Sequence, residues 1–228
     1  MAGLWKRTAT AVVALVLPAF GQRIFEFSAK AGVPATETFD TGAWGFLATG
    51  RYQGASATRR YTAGAGLGLR LPHGFGGECD VLYQRLGFDV NSMPTPIGIA
   101  TVHTWTTANS WEFPLMGKFR FSRHAAVTPW VGGGVSFRAT SGVSSTSERI
   151  DVFRNVSRWT SQGDQHLDAR SRFGGVVTAG VGAPAGFLRV SAEMRYTRWR
   201  ADDLAATGGY FDVKSNPNQA ELLLGITF

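Results

Sequence analysis

The C-terminal segment Asn218–Phe228 alternates between its two faces with a period of two residues. One face of the extended chain carries the apolar residues Ala220, Leu222, Leu224, Ile226 and Phe228. The other face carries Gln219, Glu221, Leu223, Gly225 and Thr227. A period of two is that of a β-strand, and a tilted strand needs about 9–11 residues to cross a bilayer. The segment therefore predicts a membrane-crossing strand that ends on an aromatic residue.

The opposite end of the chain has the three parts of an export signal. Lys6 and Arg7 are followed by the apolar run Ala9–Leu17 and by Ala19-Phe20-Gly21, which has the small-x-small form of a cleavage site. The apolar run is shorter than the ~20 residues that a transmembrane helix needs. We therefore expect residues 1–21 to be a signal peptide and residues 22–228 to form one domain.

Charge and cysteine content restrict the partners. The formal net charge is +7, and Cys79 is the only cysteine, so an intramolecular disulfide is excluded. A basic chain often binds nucleic acid, but an exported protein does not normally meet it. We expect outer-membrane lipid and lipopolysaccharide to be the partners, with an extracellular polyanion or protein ligand as a further candidate.

Alternation between turn signals predicts eight strands. They are Arg23–Val33, Tyr61–Leu71, Gly77–Phe88, Trp111–Phe121, Val127–Arg138, Arg172–Ala183, Phe187–Trp199 and Asn218–Phe228. Short connections alternate with long ones. The short ones are Pro72–Gly76, Ser122–Ala126 and Pro184–Gly186, and the long ones are Pro34–Arg60, Asp89–Ser110, Ala139–Ser171 and Arg200–Pro217.

This alternation of connections is typical of outer-membrane barrels, which have short periplasmic turns and long external loops. The prediction is an all-β, closed, antiparallel, up-and-down transmembrane barrel with both termini in the periplasm. The loop Ala139–Ser171 has room for a further hairpin with Arg149–Phe153 as one strand, so ten strands stay open. Pro114 cannot donate to a ladder and predicts a bulge or a strained register in the fourth strand.

Three strand phrases resemble a known family. They are Trp111-Glu112-Phe113-Pro114-Leu115-Met116-Gly117-Lys118-Phe119, Thr128-Pro129-Trp130-Val131-Gly132-Gly133-Gly134-Val135 and Ser191-Ala192-Glu193-Met194-Arg195-Tyr196. In these phrases the chain resembles the eight-stranded bacterial outer-membrane β-barrels, typified by the barrel domain of outer membrane protein A and by the PorT-like barrels. The resemblance implies fold and bacterial outer-membrane location, and it implies no activity.

If the apolar faces contact lipid, the opposite faces enclose charges. These are Glu26, Lys30, Arg70, Glu78, Asp80, Glu112, Lys118, Arg120, Arg138, Arg172, Arg189, Glu193, Arg195 and Glu221. Strand positions predict two clusters. One near the periplasm contains Arg70, Glu78, Asp80, Arg120 and Arg189, and one nearer the outside contains Glu112, Arg138, Arg172, Glu193, Arg195 and Glu221. Side chains fill the interior of an eight-stranded barrel, so we expect a packed, non-conducting interior of paired charges.

The function predicted from the sequence is structural or surface-interacting, with contacts made by the long loops of a monomer. Phe228 and its strand are expected to be the signal for the barrel-assembly machinery. We predict no enzyme, cofactor or metal site, because Asp164, His166 and Asp168 lack a fourth ligand and no Gly-x-Ser-x-Gly motif is present. The alternatives are a lipid-modifying enzyme, a small-solute channel and a soluble lipocalin-like calyx with its apolar face inside.

Overall fold

The computed structural model describes residues 24–40, 42–46, 50–93, 100–121, 126–151, 156–162, 173–200, 205–208 and 211–228. The expected signal peptide and Arg172 lie outside them, as do Asp164, His166 and Asp168. The described residues form thirteen strands: β1 (Phe25–Pro34), β2 (Gly42–Phe46), β3 (Gly50–Ser56), β4 (Thr62–Arg70), β5 (Phe75–Met93), β6 (Ala100–Arg120), β7 (Thr128–Asp151), β8 (Val156–Gln162), β9 (Phe173–Ala185), β10 (Leu188–Trp199), β11 (Ala205–Gly208), β12 (Phe211–Lys214) and β13 (Asn218–Thr227).

Eight of these strands close into a cylinder. Around the barrel the order is β1, β4, β5, β6, β7, β9, β10 and β13, and β13 pairs with β1. Every pair is antiparallel. The predicted all-β, closed, eight-stranded barrel is confirmed. The ten-stranded alternative is wrong, because β8 pairs with β7 beyond the part of β7 that pairs with β9 and does not enter the cylinder.

The two ends of the barrel differ in their connections. At one end, which we call the turn end, a 3-10 turn Pro72–Gly74 joins β4 to β5, and Gly186 and Phe187 join β9 to β10. Gly186 has φ of +65°, as the first residue of a tight hairpin turn requires. We call the opposite end the loop end. No helix among the described residues is long and apolar enough to cross a membrane.

At the loop end the strands extend further than the alternation of apolar and polar residues predicted. The segments expected to be loops, Asp89–Ser110 and Ala139–Ser171, contain the ends of β5, β6 and β7 and all of β8. Here several inward side chains are hydroxyls that bond across the strands, with Oγ–Oγ distances of 2.9 Å for Thr104–Ser147 and 2.8 Å for Thr106–Ser145. Polar cross-strand pairs stabilise a sheet without apolar alternation, so the hydrophobic pattern ended before the strands did.

The irregularity expected at Pro114 lies elsewhere. Pro114 pairs with Ser136 in an unshifted register, and the register of β6 against β7 shifts between Thr107 and Asn109. The extra residue is on β7, next to Gly142, whose φ is +63°. A glycine in the left-handed region is the first residue of one common type of β-bulge. The proline instead leaves two residue pairs missing from the β5–β6 ladder, between Cys79–Leu115 and Leu82–Glu112.

The two faces of the barrel wall have opposite chemistry. Leu115 and Leu224 on the outer face are 59% and 68% exposed, whereas Asp80 and Arg195 on the inner face are 0% and 1% exposed. The apolar row therefore faces outward and the charged row is enclosed, as the sequence predicted. This arrangement is the reverse of a lipocalin-like calyx, and that alternative is wrong.

Aromatic pairs mark the limits of the apolar outer face. Phe75 and Phe119 pack with ring centroids 5.1 Å apart at the turn end, and Tyr83 and Trp111 pack at 5.0 Å toward the loop end. Aromatic side chains concentrate at both membrane–water interfaces. The outer surface between these two pairs is the part of the barrel that hydrocarbon covers.

We expect Gly142→Val to destabilise the barrel by about 1–2 kcal/mol, because a side chain at a left-handed φ clashes with its own backbone. Equilibrium urea unfolding in lipid vesicles measures the change. Gly175→Val is the matched control, since a Cβ at Gly175 meets no atom within 4 Å, and we expect a change within about 0.5 kcal/mol. Equal losses in the two variants would contradict the role of the bulge.

Candidate functional site

Six charged side chains form the centre of the barrel interior, which we call the central network: Lys30, Glu78, Asp80, Lys118, Glu193 and Arg195. Lys30 Nζ lies 2.5 Å from Glu78 Oε1, 2.8 Å from Asp80 Oδ2 and 3.3 Å from Glu193 Oε2. Strand alternation places each of these side chains on an inward position of β1, β5 or β10. A single ammonium group thus bridges carboxylates from two strands on different parts of the wall.

The remaining cations complete the network. Lys118 Nζ lies 2.5 Å from Glu78 Oε1 and 3.4 Å from Glu193 Oε2, and it also lies 3.8 Å from the centroid of the Trp130 ring. One guanidinium nitrogen of Arg195 lies 2.6 Å from both Asp80 Oδ2 and Glu193 Oε1. Thr178 donates to Glu193 Oε1 at 2.8 Å.

The central network balances three cations against three carboxylates, all with side chains at most 13% exposed. A buried charge without a partner costs several kcal/mol, so equal numbers of opposite charges allow all six to stay ionised. Because the network joins β1, β5, β6 and β10, it spans the interior from wall to wall. It occupies the cross-section where a conducting pore would need open space.

A second group lies at the turn end. Arg120 donates to Glu26 Oε2 at 2.8 Å, and Arg70 donates to Glu26 Oε1. Arg189 lines the same pocket, which has a volume of about 540 Å³ including space open to solvent. The pocket ends at Glu78, Lys118 and Glu193. The pocket therefore extends from the turn-end group to the central network.

A third group lies on the loop side of the central network. Arg138 lies 2.6 Å from Glu112 Oε1 and donates to Gln219 Oε1, and its guanidinium stacks 3.9 Å above the Trp199 ring. Trp199 Nε1 donates to the same Gln219 oxygen at 2.9 Å. Glu221 lies between this group and the central network, 3.9 Å from Arg195.

The loop end of the interior is covered by the segment Ala35–Asp40. The backbone nitrogens of Ala35 and Thr36 donate to Ala220 O, and Asn216 N donates to Thr38 O at 2.8 Å. Phe39 is 1% exposed and packs on Phe88 with ring centroids 5.3 Å apart. Other buried apolar side chains in the described part of the loop end are Leu82, Leu86, Val90, Ala108 and Val143. An apolar layer thus lies above the charged groups.

Beyond the membrane, Asp89 on β5 is partly buried. Burial raises the pKa of its carboxyl group above the ordinary value, and the neighbouring His103 lowers it by a smaller amount. Within the described ranges, no group of three His, Cys, Asp or Glu side chains is arranged to hold a metal ion.

The structure groups the charged residues differently from the sequence prediction. Arg195, expected in the outer cluster, donates both to Glu193 and to Asp80, and Asp80 was expected near the periplasm. The two predicted clusters are therefore wrong as drawn. The strands of a barrel are inclined to its axis, so equal distances from strand ends do not give equal depths.

Several uncharged contributors were absent from the predicted charge clusters. The inward positions of β10, β13 and β9 include Trp199, Gln219 and Thr178. The alternation of inward and outward side chains along each strand predicts this placement. No periodicity marked Phe39, because it lies in a connecting segment. Phe228, proposed as an assembly signal, is 58% exposed and donates its backbone N–H to Phe27 O at 2.8 Å.

A β-structure can span a bilayer when it is a closed barrel, because its backbone N–H and C=O groups then bond between neighbouring strands and its apolar side chains face outward. No protein-family model matches this chain, and no curated protein matches it. The architecture of the described residues is that of a transmembrane β-barrel.

Solved outer-membrane proteins are similar to it in fold. The outer membrane protein AlkL is 12% identical over 89% of this chain and 89% of its own, with a TM-score of 0.47. OprG from Pseudomonas aeruginosa is 12% identical over 90% and 95%, with a TM-score of 0.41. Neisserial surface protein A is 15% identical over 89% and 95%, with a TM-score of 0.37. Such similarity carries no information about activity.

We expect Lys30→Met to destabilise the barrel by about 3–5 kcal/mol, because it leaves the buried carboxylates short of one cation. Urea unfolding monitored by tryptophan fluorescence measures the loss. Adding Glu78→Gln should recover at least half of it, since the charges then balance again.

The matched control for this pair of variants is Glu37→Gln, which removes the exposed ion pair with Arg60. Exposed pairs contribute about 0–1 kcal/mol, so this variant should change stability little. A double variant less stable than Lys30→Met would show that charge balance does not hold the centre together.

Proposed function

We propose that this chain is a non-conducting barrel of the bacterial outer membrane that acts at the cell surface through its loop end. The observation that carries the proposal is the double closure of the interior. The central network fills the middle of the barrel, and the segment Ala35–Asp40 with Phe39 covers the loop end. A solute would have to displace both.

The proposed orientation places the loop end outside and both termini in the periplasm. Outer-membrane barrels have short periplasmic turns and longer external loops. Here the tight turns at Pro72–Gly74 and Gly186-Phe187 lie at the end of the barrel that also holds Phe228. In this orientation β13 with Phe228 is available in the periplasm to the barrel-assembly machinery.

The proposed contact surface is the sheet that β3, β5, β6, β7 and β8 build beyond the membrane. Its exposed or half-exposed described side chains include the polar or basic residues Thr146, Arg149, Ser157, Arg158 and Thr160, and the apolar Ile150 and Val156 are exposed beside them. Arg158 forms an ion pair with Glu148 at 2.6 Å on this surface. Such a surface suits a polar protein ligand or a polyanion. We propose a monomer without catalytic activity.

In planar lipid bilayers we expect no stable conductance steps from the purified chain, because the central network leaves no continuous water path. The variant Phe39→Ala removes only the cover at the loop end, so it should also show no conductance steps. Current recordings over a range of voltages measure both. Stable steps in the unaltered chain would contradict the proposal.

Orientation is tested by cysteine labelling of intact cells in a Cys79→Ala background. We expect a membrane-impermeant maleimide to label Ser157→Cys on β8, which is exposed. Ala185→Cys at the β9–β10 turn is the matched control, also exposed, and should be labelled only after the outer membrane is permeabilised. The opposite pattern would show that the loop end faces the periplasm.

A further inference from the structure

The same three-residue arrangement occurs twice on the outer face of the barrel. On β5 and β6, Tyr83 Oη donates to Asn109 Oδ1 at 2.9 Å, and Arg85 Nη1 donates to the same oxygen at 2.7 Å. Arg85 Nη2 also donates to Thr107 Oγ1 at 3.0 Å. We call this arrangement the first triad.

The second triad lies on β10 and β13. Tyr196 Oη and Arg198 Nη1 each donate to Asn218 Oδ1 at 2.7 Å. In both triads a Tyr-x-Arg segment of one strand shares an asparagine of the next strand around the barrel. The junction of β5 with β6 and that of β10 with β13 are four strands apart in a barrel of eight, so the triads lie on opposite sides.

Both triads lie at the loop-end limit of the apolar outer face. On β6, Trp111 lies two residues closer to the turn end than Asn109 and packs on Tyr83. On β13, Ala220 and the exposed Leu222 lie two and four residues closer to the turn end than Asn218. Tyrosine rings occupy the headgroup level of membranes. The guanidinium groups are therefore held where lipid headgroups lie.

The chemistry of each triad suits a phosphate. The acceptors of Arg85 and Arg198 are neutral amide and hydroxyl oxygens, and within the described parts of the chain neither guanidinium is paired with a carboxylate. Each keeps at least three of its five N–H donors for a further acceptor. A planar guanidinium fixed in this way binds phosphate oxygens in a bidentate manner.

Each triad also has a second exposed arginine nearby. The backbone N–H of Arg59 donates to Arg85 O at 3.0 Å, and Arg200 follows Arg198 by two residues and donates its own N–H to Phe173 O. Both side chains are exposed. Two cations beside one lipid-facing tyrosine favour an anion more highly charged than a single carboxylate.

We propose that each triad binds the phosphorylated headgroup of one lipid in the leaflet at the loop end. With the orientation of the proposed function, on which this assignment of the leaflet rests, the ligand is a phosphorylated glycolipid of the outer leaflet. The acyl chains lie against the apolar outer face, and the phosphate accepts hydrogen bonds from Arg85 in one site and from Arg198 in the other.

The test is native mass spectrometry of the purified full chain in detergent, titrated with bis-phosphorylated lipid A. We expect two retained lipids at saturation. Arg85→Gln or Arg198→Gln alone should retain one, and the double variant should bind at least tenfold more weakly. The matched control, Arg60→Gln, removes one charge, as each single variant does, from an exposed arginine that pairs with Glu37, and it should retain two lipids.

Folding of each variant is checked by heat-modifiable gel mobility. If the double glutamine variant does not fold, Arg85→Lys with Arg198→Lys keeps the charge and should bind about three- to tenfold more weakly, because an ammonium lacks the planar fork. Binding unchanged in the folded substitution variants, or lost in the Arg60→Gln control, would overturn the proposal.

Two further measurements distinguish the source of the phosphate. Dephosphorylated lipid A should not be retained, and inorganic phosphate alone should bind far more weakly than the phosphorylated lipid. Equal binding of either would overturn the assignment to a lipid headgroup. Retention in detergent depends neither on conductance nor on membrane orientation, so failure of the proposed function and failure of these sites give separate results.

Discussion

Hydrogen bonds between β1 and β13 join the first barrel strand to the last, with Ala29 opposite Ile226 and Val33 opposite Leu222. An open sheet leaves two rows of unsatisfied N–H and C=O groups, each of which costs several kcal/mol in hydrocarbon. Closure removes both rows. It also divides every strand into residues that contact lipid and residues that are enclosed, and the rest of the architecture follows from that division.

Enclosure explains why the interior is ionic yet closed. The inward face of an eight-stranded barrel has just enough room for its own side chains, and large charged side chains from opposite walls meet there. Lys30 is the clearest case, because its ammonium group contacts carboxylates from β5 and β10. Their attraction ties together strands that share no ladder, so the network stiffens the barrel across its diameter.

The loop end follows different rules because water replaces hydrocarbon on its outer surface. Hydroxyl pairs such as Thr106–Ser145 continue the ladders there, and the bulge at Gly142 changes which residues of β7 point inward, so that Val143 becomes buried. On the outer surface the same change of solvent places Arg85 and Arg198 directly beyond the last lipid-facing aromatic or apolar residues. The polarity of the inward side chains and that of the outward side chains thus change at a similar level along the barrel axis.

The sequence by itself determined the eight strands and the face of each that meets lipid. A period of two in residues such as Leu222, Leu224 and Ile226 is imposed locally by the bilayer, and so it is visible in a single strand. The loop-end extensions of β5, β6 and β7 lack this alternation, because water rather than hydrocarbon surrounds their outer surface and apolar residues are not required there.

Only the tertiary structure decided which charges meet. Asp80 and Arg195 are separated by 115 positions and come together through barrel closure and strand inclination, which no local pattern records. The covering of the loop end by Phe39 and the matching Tyr–Arg–Asn triads have the same origin. Each depends on the register between strands distant in sequence, and register is set by the packing of the whole cylinder rather than by any one segment.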